Sequence, residues 1–281
     1  MNYNFEFEKI DSENKAYVLG LLYADGCITN LNTIRISLID KQLILDVQKE
    51  FKFFNLGSFD YSIYNINNKI QYSLTKKNKF LYNHLIKAGL VRNKATINAN
   101  KLYIPELKKS LYSHFIRGYF DGNGSISIPS ARPNLRRVEL CSSSKTFIES
   151  LINILKDNNI NVPIYRSKNN TKSILYVLEW VKTEDIINFG NFIYNNCNLK
   201  LDRKYKLFIN FKLLDKTDNN PKCPICKNNL KKSGTRKNSK ITLTRFKCKN
   251  CKKGYSYSPD QLKSDELLGT PKVLDTSISL Y

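Results

Sequence analysis

The chain has 281 residues, of which 46 are Lys or Arg and 24 are Asp or Glu, so its formal net charge at pH 7 is +22. No apolar run approaches the roughly 20 residues that span a bilayer, which argues against a membrane protein. The hydrophobic content of 41% supports packed cores, and the positive charge favours a nucleic acid partner over a merely Lys-rich background. The N-terminus, MNYNFEFEKIDSENK, has acids and no hydrophobic region, so we expect no signal peptide and an intracellular protein.

Two short apolar helices are predicted, at residues 18–26 (VLGLLYADG) and 116–124 (IRGYFDGNG). Each has small residues four positions apart, at 20 and 24 and at 118 and 122. Residues four apart share one face of a helix, so two such helices can pack with their backbones close together. Each helix ends in a polar residue followed by glycine, a common helix stop. Side-by-side packing would therefore bring Asp25 and Asn123 together at the common C-terminal end.

The elements that follow these helices recur in the same order in both halves of the chain. Two alternating strands and an amphipathic helix are predicted in each half, at 27–30, 33–37 and 43–51 and at 125–128, 137–141 and 147–155. A later strand recurs with its apolar side chains toward the helices, as Ile70, Tyr72 and Leu74 and as Ile174, Tyr176 and Leu178. Each half closes with a similar basic tail, RNK at 92–94 and RKY at 203–205. The prediction is α+β, with a four-stranded antiparallel sheet in each αββαββα half.

The two nine-residue segments resemble the LAGLIDADG motif, which names a family of homing endonucleases and their maturase relatives. The resemblance extends from about residue 1 to 214 and implies two pseudo-symmetric repeats, 1–112 and 113–214. In such proteins the motif helices form the central interface and the two sheets form a saddle over DNA. The resemblance implies a monomer that cleaves a long, specific site in double-stranded DNA. The target sequence, and an origin in an intron, an intein or a free-standing gene, stay open.

The same resemblance implies the residues of the active site. The family places an acid at the eighth motif position, and the carbonyl before it often joins the metal shell. The matching positions here are Asp25 with Ala24 and Asn123 with Gly122. Mg²⁺ or Mn²⁺ is the implied metal, because Mg²⁺ prefers oxygen ligands and divalent metals promote phosphodiester hydrolysis.

Strand alternation leaves one face of each sheet free of the helices, and the resemblance assigns that face to DNA. A basic residue near the scissile phosphate is also usual in the family, and the candidates are Lys76 or Lys77 in the first half and Lys182 in the second. The side chains predicted to face DNA in the first half are Thr29, Thr33, Arg35, Ser37, Lys69, Gln71, Ser73 and Thr75. Those of the second half are Ser125, Ser127, Arg137 and Glu139. Because Leu175 and Val177 stand where the first half has Gln71 and Ser73, the second half reads fewer bases there or that face is covered.

Asn123 departs from the family pattern, since an amide lacks the charge that holds a metal and polarises water. Asp121 lies about 200° away around the helix and cannot simply replace it. Three readings stay open: a relative that binds DNA or intron RNA without cutting, such as a splicing maturase or a regulator; partial or single-strand cleavage; or a deliberate Asp-to-Asn change made to trap a DNA complex.

Four of the seven cysteines form two CxxC pairs, Cys223 with Cys226 and Cys248 with Cys251. This spacing predicts one structural Zn²⁺ in a ribbon at 215–258 that is similar to zinc ribbons appended to transposases and other DNA enzymes. Its predicted basic loop is suited to backbone phosphates through Lys231, Lys232, Arg236 and Lys237; alternatively, the ribbon only folds the tail. Cys27, Cys141 and Cys197 are expected to be free buried thiols, and residues 259–281 form a tail of mixed composition.

Overall fold

The structure is a computed structural model that describes residue 7 and residues 9–94, 101–127, 136–161, 163–169, 174–216, 221–228, 230–237 and 242–258. The chain divides into two compact units, residues 1–212 and 213–281. The predicted tail, 259–281, and the end of the strand predicted at 125–128, Ile128, lie outside the described residues. Within the described part, no helix is both long and apolar enough to cross a membrane.

The first unit contains the two predicted repeats. The elements of the first repeat are α1 (Glu13–Asp25), β1 (Gly26–Ile28), β2 (Thr33–Leu38), α2 (Lys41–Phe53), β3 (Asp60–Ile66), β4 (Lys69–Lys77) and α3 (Lys79–Lys87). Those of the second are α4 (Tyr112–Asn123), β5 (Gly124–Ser127), β6 (Arg137–Ser142), α5 (Lys145–Asp157), β7 (Ile164–Asn169), β8 (Ile174–Trp180) and α6 (Thr183–Tyr194), followed by α7 (Asp202–Lys216). The antiparallel sheets have the equivalent orders β1-β2-β4-β3 and β5-β6-β8-β7, so the predicted α+β repeat is confirmed.

Local sequence explains where these elements begin and turn. The side chains of Asp40 and Ser144 accept hydrogen bonds from backbone N–H groups in the first turns of α2 and α5, as N-caps do. The two-residue turn between β3 and β4 is Asn67-Asn68, and both residues have positive φ. Asparagine tolerates this conformation, which matches the twist of a tight hairpin.

One part of the strand prediction is wrong at the hairpin ends. Tyr72 and Leu74 pack toward the helices as expected, but Ile70 is 53% exposed and its counterpart Ile174 is 46% exposed. Each isoleucine lies beside the turn of its hairpin, beyond the packed part of the sheet. Alternation correctly indicates the face of a strand, but it does not indicate how far the helices cover that face.

The two motif helices, α1 and α4, pack against each other through their glycines. A Cβ atom at Gly118 would overlap the Tyr17 carbonyl oxygen and lie 2.9 Å from the Leu21 nitrogen. In the symmetric arrangement, a Cβ at Gly20 would overlap the Phe115 carbonyl oxygen. Because the obstacles are backbone atoms, only glycine permits this approach, and the predicted close packing is confirmed.

A buried ion pair joins the same two helices at the N-terminal end of α1. Arg117 has no exposed surface, and its Nη2 donates to Glu13 Oε1 at 2.7 Å. Its Nε and Nη1 donate to the carbonyl oxygens of Leu199 and Ile193, each at 2.9 Å. These bonds satisfy the guanidinium and tie α1 to α4 and to the end of α6.

The second unit contains a small antiparallel sheet, β11-β10-β9, made of β9 (Leu230–Lys237), β10 (Thr242–Cys248) and β11 (Gly254–Tyr257). Its core contains Leu230, Phe246, Tyr255 and Tyr257 beside the cysteines. The prediction of a basic loop at 231–237 is wrong, because this segment is the edge strand β9. The strand could not be recognised from its Lys/Arg-rich sequence, because a bulge opposite Arg245 and Phe246 interrupts its alternation.

Candidate functional site

The C-terminal ends of α1 and α4 meet at Asp25. A Cβ at Gly122 would overlap Ala24 Cβ and lie 2.7 Å from Asp25 Oδ2. The carboxylate is half-buried, and among the described residues it has no hydrogen-bond or ion-pair partner. Burial raises the pKa of Asp25, and the positive charges of Lys94 and Lys204 oppose that rise. A half-buried carboxylate that has no hydrogen-bond partner is suited to a hydrated cation.

Lys94 and Lys204 occupy equivalent places at the ends of the two motif helices. Lys94 Nζ donates to the carbonyl oxygens of Leu22 and Tyr23, at 2.8 and 2.6 Å. Burial lowers the pKa of Lys94 to about 7. Its ammonium group therefore gives a further donor to carbonyls in the last turn of α1, where helical donors run out.

Lys204 makes the corresponding contacts in the second repeat. Its Nζ donates to the carbonyl oxygens of Phe120, Asp121 and Gly124, at 2.6, 2.8 and 2.6 Å. Burial lowers the pKa of Lys204 to about 8. Sequence reasoning missed both lysines as site residues, although the recurrence of RNK at 92–94 and RKY at 203–205 was the signal that could have found them.

Asn123 ends α4 as Asp25 ends α1, and its amide is held by one neighbour. Its Nδ2 donates to the hydroxyl oxygen of Tyr119 at 3.2 Å, which leaves the amide oxygen available to a ligand. Burial raises the pKa of Tyr119 to about 12, so its hydroxyl stays protonated and donates to the Cys141 carbonyl oxygen at 2.9 Å. The second motif position therefore offers a fixed but neutral oxygen.

Asp121 does not supply the missing charge. Its Oδ2 accepts hydrogen bonds from the Tyr17 hydroxyl at 2.8 Å and from the Leu201 backbone N–H at 2.7 Å. Its Oδ1 accepts a bond from the Tyr194 hydroxyl. The carboxylate is buried and hydrogen-bonded within the core, so it cannot replace Asn123, as its position on the helix led us to expect.

Two of the predicted basic residues, Lys76 and Lys182, lie in other surroundings. Lys76 Nζ donates to the Ser58 carbonyl oxygen at 2.8 Å and lies 5.6 Å from the Phe59 ring centroid. Lys182 is the residue immediately before α6. Neither is among the cations that act on the Asp25 pKa, so their role near a phosphate stays a prediction.

The register of the first sheet shows which predicted DNA-facing residues share a face. Arg35 pairs with Thr75 and Ser37 with Ser73, and residues opposite each other in antiparallel strands point the same way. Ser73, however, is fully buried, and its hydroxyl donates to the Ile36 carbonyl oxygen while accepting from Ser37. Ser73 therefore has no surface with which to contact DNA. The other predicted residues of this half are Thr29, Thr33, Lys69 and Gln71, and their role stays a prediction.

The second sheet presents a different face. Ser125 pairs with Glu139 and Ser127 with Arg137, so all four predicted residues share one face. Arg137 and Glu139 are not free on this face, because they belong to a cluster of ion pairs with other residues of the sheet. Val177 is almost fully buried, which favours the second of the two alternatives, that this face is covered there.

The four predicted zinc ligands converge in the second unit. The sulfur atoms of Cys223, Cys226, Cys248 and Cys251 all lie within 4.8 Å of one another. The Cys223–Cys251 and Cys226–Cys248 sulfur distances are both 3.4 Å. A tetrahedral site with Zn–S bonds of about 2.3 Å needs sulfur atoms roughly this far apart, so the donor set fits Zn²⁺.

The three other cysteines are free thiols, as predicted, but they are not all buried. Cys27 is exposed, and Cys141 and Cys197 are partly buried. Cys27 stands in the three-residue strand β1, where alternation turns it to the open face of the sheet.

Comparison with known proteins identifies one domain and several distant likenesses. Residues 110–194 match the family model of the LAGLIDADG-like domain. A probable translation initiation factor IF-2 of Methanocaldococcus jannaschii is 29% identical over 219 residues, which are 75% of this chain. The chain spans only 17% of that relative's length.

Three solved structures are also similar. The N-terminal LAGLIDADG domain of DUF199/WhiA has a TM-score of 0.47 and 16% identity, over 72% of this chain and 92% of its own. The homing endonuclease I-WcaI, bound to its DNA recognition sequence, has a TM-score of 0.45 and 13% identity, over 73% and 94%. I-DmoI, in complex with DNA and Mn, has a TM-score of 0.45 and 18% identity, over 66% and 98%.

Proposed function

We propose that this chain, whose residues 110–194 are a LAGLIDADG-like domain, binds a specific site in double-stranded DNA and hydrolyses it with Mg²⁺. The main support for this proposal is the half-buried carboxylate of Asp25, which lies where the two glycine-packed helices end. Among the described residues, this carboxylate has no hydrogen-bond or ion-pair partner. Because one chain supplies both repeats, the working form is proposed to be a monomer. An intracellular location is part of the same proposal.

The residues at this point fit a hard divalent cation. Asp25 would hold Mg²⁺ through its carboxylate, and the amide oxygen of Asn123 and the backbone carbonyls of Ala24 and Gly122 are the further candidate donors. When bound, the metal supplies electrostatic stabilisation of charge that develops on a phosphoryl oxygen. Lys94 and Lys204 add positive charge around Asp25, which favours the approach of a phosphate.

Because residue 123 has a neutral amide, the two halves of the proposed site are not equivalent. Only one of the two motif positions has a carboxylate. The Asp121 carboxylate is already hydrogen-bonded to Tyr17 and Leu201 in the core. We therefore propose that the chain cuts poorly or nicks one strand. The second candidate is a protein that binds DNA or intron RNA without cutting, and the same amide is the observation that favours it.

The second unit is proposed to be a zinc ribbon that contributes to nucleic acid binding. The sulfur geometry supports one structural Zn²⁺. The basic side chains predicted to contact phosphates lie on the edge strand β9, where Lys231, Lys232 and Arg236 are exposed. Lys237 ends the same strand and belongs to the proposal.

The test begins with a target that the protein itself selects. The full chain would be incubated with a random-sequence duplex pool without Mg²⁺, and the enriched site would be cloned into a supercoiled plasmid. With Mg²⁺ or Mn²⁺, the parent is expected to nick the plasmid or cut it weakly. Asn123→Asp is expected to raise double-strand cleavage by orders of magnitude, and Asp25→Asn is expected to abolish cleavage without loss of binding.

Asp46→Asn is the matched control, since it makes the same chemical change on α2, where Asp46 pairs with Lys49 at the surface. If Asn123→Asp remains inert on the selected site, the non-cleaving candidate replaces the nuclease. If the pool yields no enriched duplex while intron RNA is retained, the DNA proposal is wrong.

A further inference from the structure

The open face of the second sheet carries two glutamates where a polyanion is expected to bind. Glu139 and Glu179 are direct cross-strand partners on β6 and β8. Like charges opposite each other destabilise a sheet, and carboxylates also repel phosphates. Their presence on this face therefore needs a reason beyond general DNA affinity.

Three cations of the same face surround these carboxylates. Arg137 Nε lies 2.6 Å from Glu179 Oε1, which is an ion-pair distance, although neither atom has a hydrogen-bond partner among the described residues. Arg166 Nη2 lies between the two glutamates, 2.6 Å from Glu139 Oε1 and 3.2 Å from Glu179 Oε1. Lys168 Nζ is 3.8 Å from Glu139 Oε1. The five side chains form one cluster with a net charge of +1.

The members of this cluster differ in what they can reach. The Glu179 side chain is only 6% exposed, so it cannot reach a base and can act only through the arginines beside it. The Arg137 side chain is 38% exposed. Its contact with a described residue is made through Nε, so both Nη nitrogens remain for a ligand. Arg166, in contrast, already uses Nη2 for both carboxylates.

We infer that Arg137 reads a guanine in the major groove and that Glu179 is the positioning residue that fixes its guanidinium; this inference rests on the proposed DNA binding. The two Nη groups of arginine match O6 and N7 of guanine in a bidentate contact. A guanidinium that forms an ion pair with a buried carboxylate loses less freedom when it binds, which favours specificity. Arg35 on the first sheet is exposed and has no ion pair among the described residues, so it lacks this anchoring.

The inference predicts that Glu179 lowers general DNA affinity while it raises discrimination. Random-pool selection and titration with the selected duplex would be done with the full chain and without divalent metal, so that cleavage does not contribute. Arg137→Lys is expected to reduce the guanine preference at one position by about tenfold or more, because a lysine ammonium group cannot form the bidentate contact that the two Nη groups of arginine form. Glu179→Gln is expected to weaken the preference at that same position.

Glu179→Gln should also bind random duplex more tightly than the parent and steepen the slope of log K against log salt by up to about 0.9. Glu149→Gln is the matched control, because it removes the same charge from an exposed i,i+4 pair on α5. It should change neither the guanine preference nor the salt slope appreciably. Thermal unfolding would establish that each variant is folded.

Several outcomes would overturn the inference. One is that Arg137→Lys keeps every base preference and loses affinity uniformly, which is the behaviour of a phosphate contact. Another is that Glu179→Gln behaves as Glu149→Gln does. If Glu179→Gln does not fold, Arg137→Lys alone decides the guanine contact, and Glu139→Gln tests the carboxylate support through Arg166. A parent that enriches no DNA sequence overturns this inference together with the proposed function, whereas enrichment without the Arg137 effect overturns this inference alone.

Discussion

Gly118→Ala should destabilise the first unit although it adds a helix-favouring residue to α4. In an exposed helix this change stabilises by about 1 kcal/mol. Here the new Cβ would overlap the Tyr17 carbonyl oxygen and lie 2.9 Å from the Leu21 nitrogen. Overpacking costs about 1–3 kcal/mol where side chains can shift. Because backbone atoms block this site, α1 and α4 must separate, and we expect a net loss of about 2–3 kcal/mol.

The assay is urea unfolding followed by the fluorescence of Trp180, the single tryptophan, which is buried and stacks on Phe189 at 4.2 Å. Gly190→Ala on α6 is the control, since its Cβ would meet the side-chain ring of Phe208 instead of backbone. A ring can rotate, so this loss should be the smaller of the two. If Gly118→Ala raised the free energy of unfolding by about 1 kcal/mol, as in an exposed helix, the close approach of the two helices would be disproved.

Three further predictions concern the metal, the buried ion pair and the pH dependence. Elemental analysis should find one zinc per chain, and Cys226→Ser should release it; a zinc-free native protein with four titratable thiols in the cluster would contradict this. Glu13→Ala should lower the free energy of unfolding in urea by about 3 kcal/mol, because it leaves Arg117 charged and buried without its carboxylate; a loss below about 1 kcal/mol, typical of a surface pair, would count against it. The pKa of Lys94 is lowered to about 7, whereas an unfolded lysine titrates at about 10.4. Between about pH 7 and about pH 10.4 the unfolded chain therefore binds more protons than the folded chain, and the free energy of unfolding should rise with pH. Lys94→Met should reduce this rise, and an unchanged pH profile would show that Lys94 is not responsible.

Much of the fold could be predicted because its signals are local and periodic. Glycine and alanine four residues apart predict a close helix interface, and strand alternation predicts one apolar face for each sheet. The two CxxC pairs predict a cysteine cluster, since each pair places two sulfur atoms on one short turn. The recurrence of the same order of elements then predicts two similar halves. The helix, strand and CxxC signals each lie within about a dozen residues, and the recurrence needs only that they be compared along the chain, so all can be recognised before the chain is folded.

The chemistry around these elements depends on contacts between residues distant in sequence, and only the tertiary structure decides them. Lys94 and Lys204 reach the ends of the motif helices from segments about 70–80 residues away. Glu179 meets Arg137 because the register pairs β6 with β8, and a shift of one residue would turn these side chains to opposite faces. The sequence by itself determined the motif helices, the recurring strands of the two repeats and the place of Asp25 at the end of its helix, but not the strand β9. Helix packing decides which charges lie near that carboxylate, and strand register decides which arginine forms an ion pair with a buried glutamate. Neither can be read from the sequence, because burial and pairing exist only once the chain has folded.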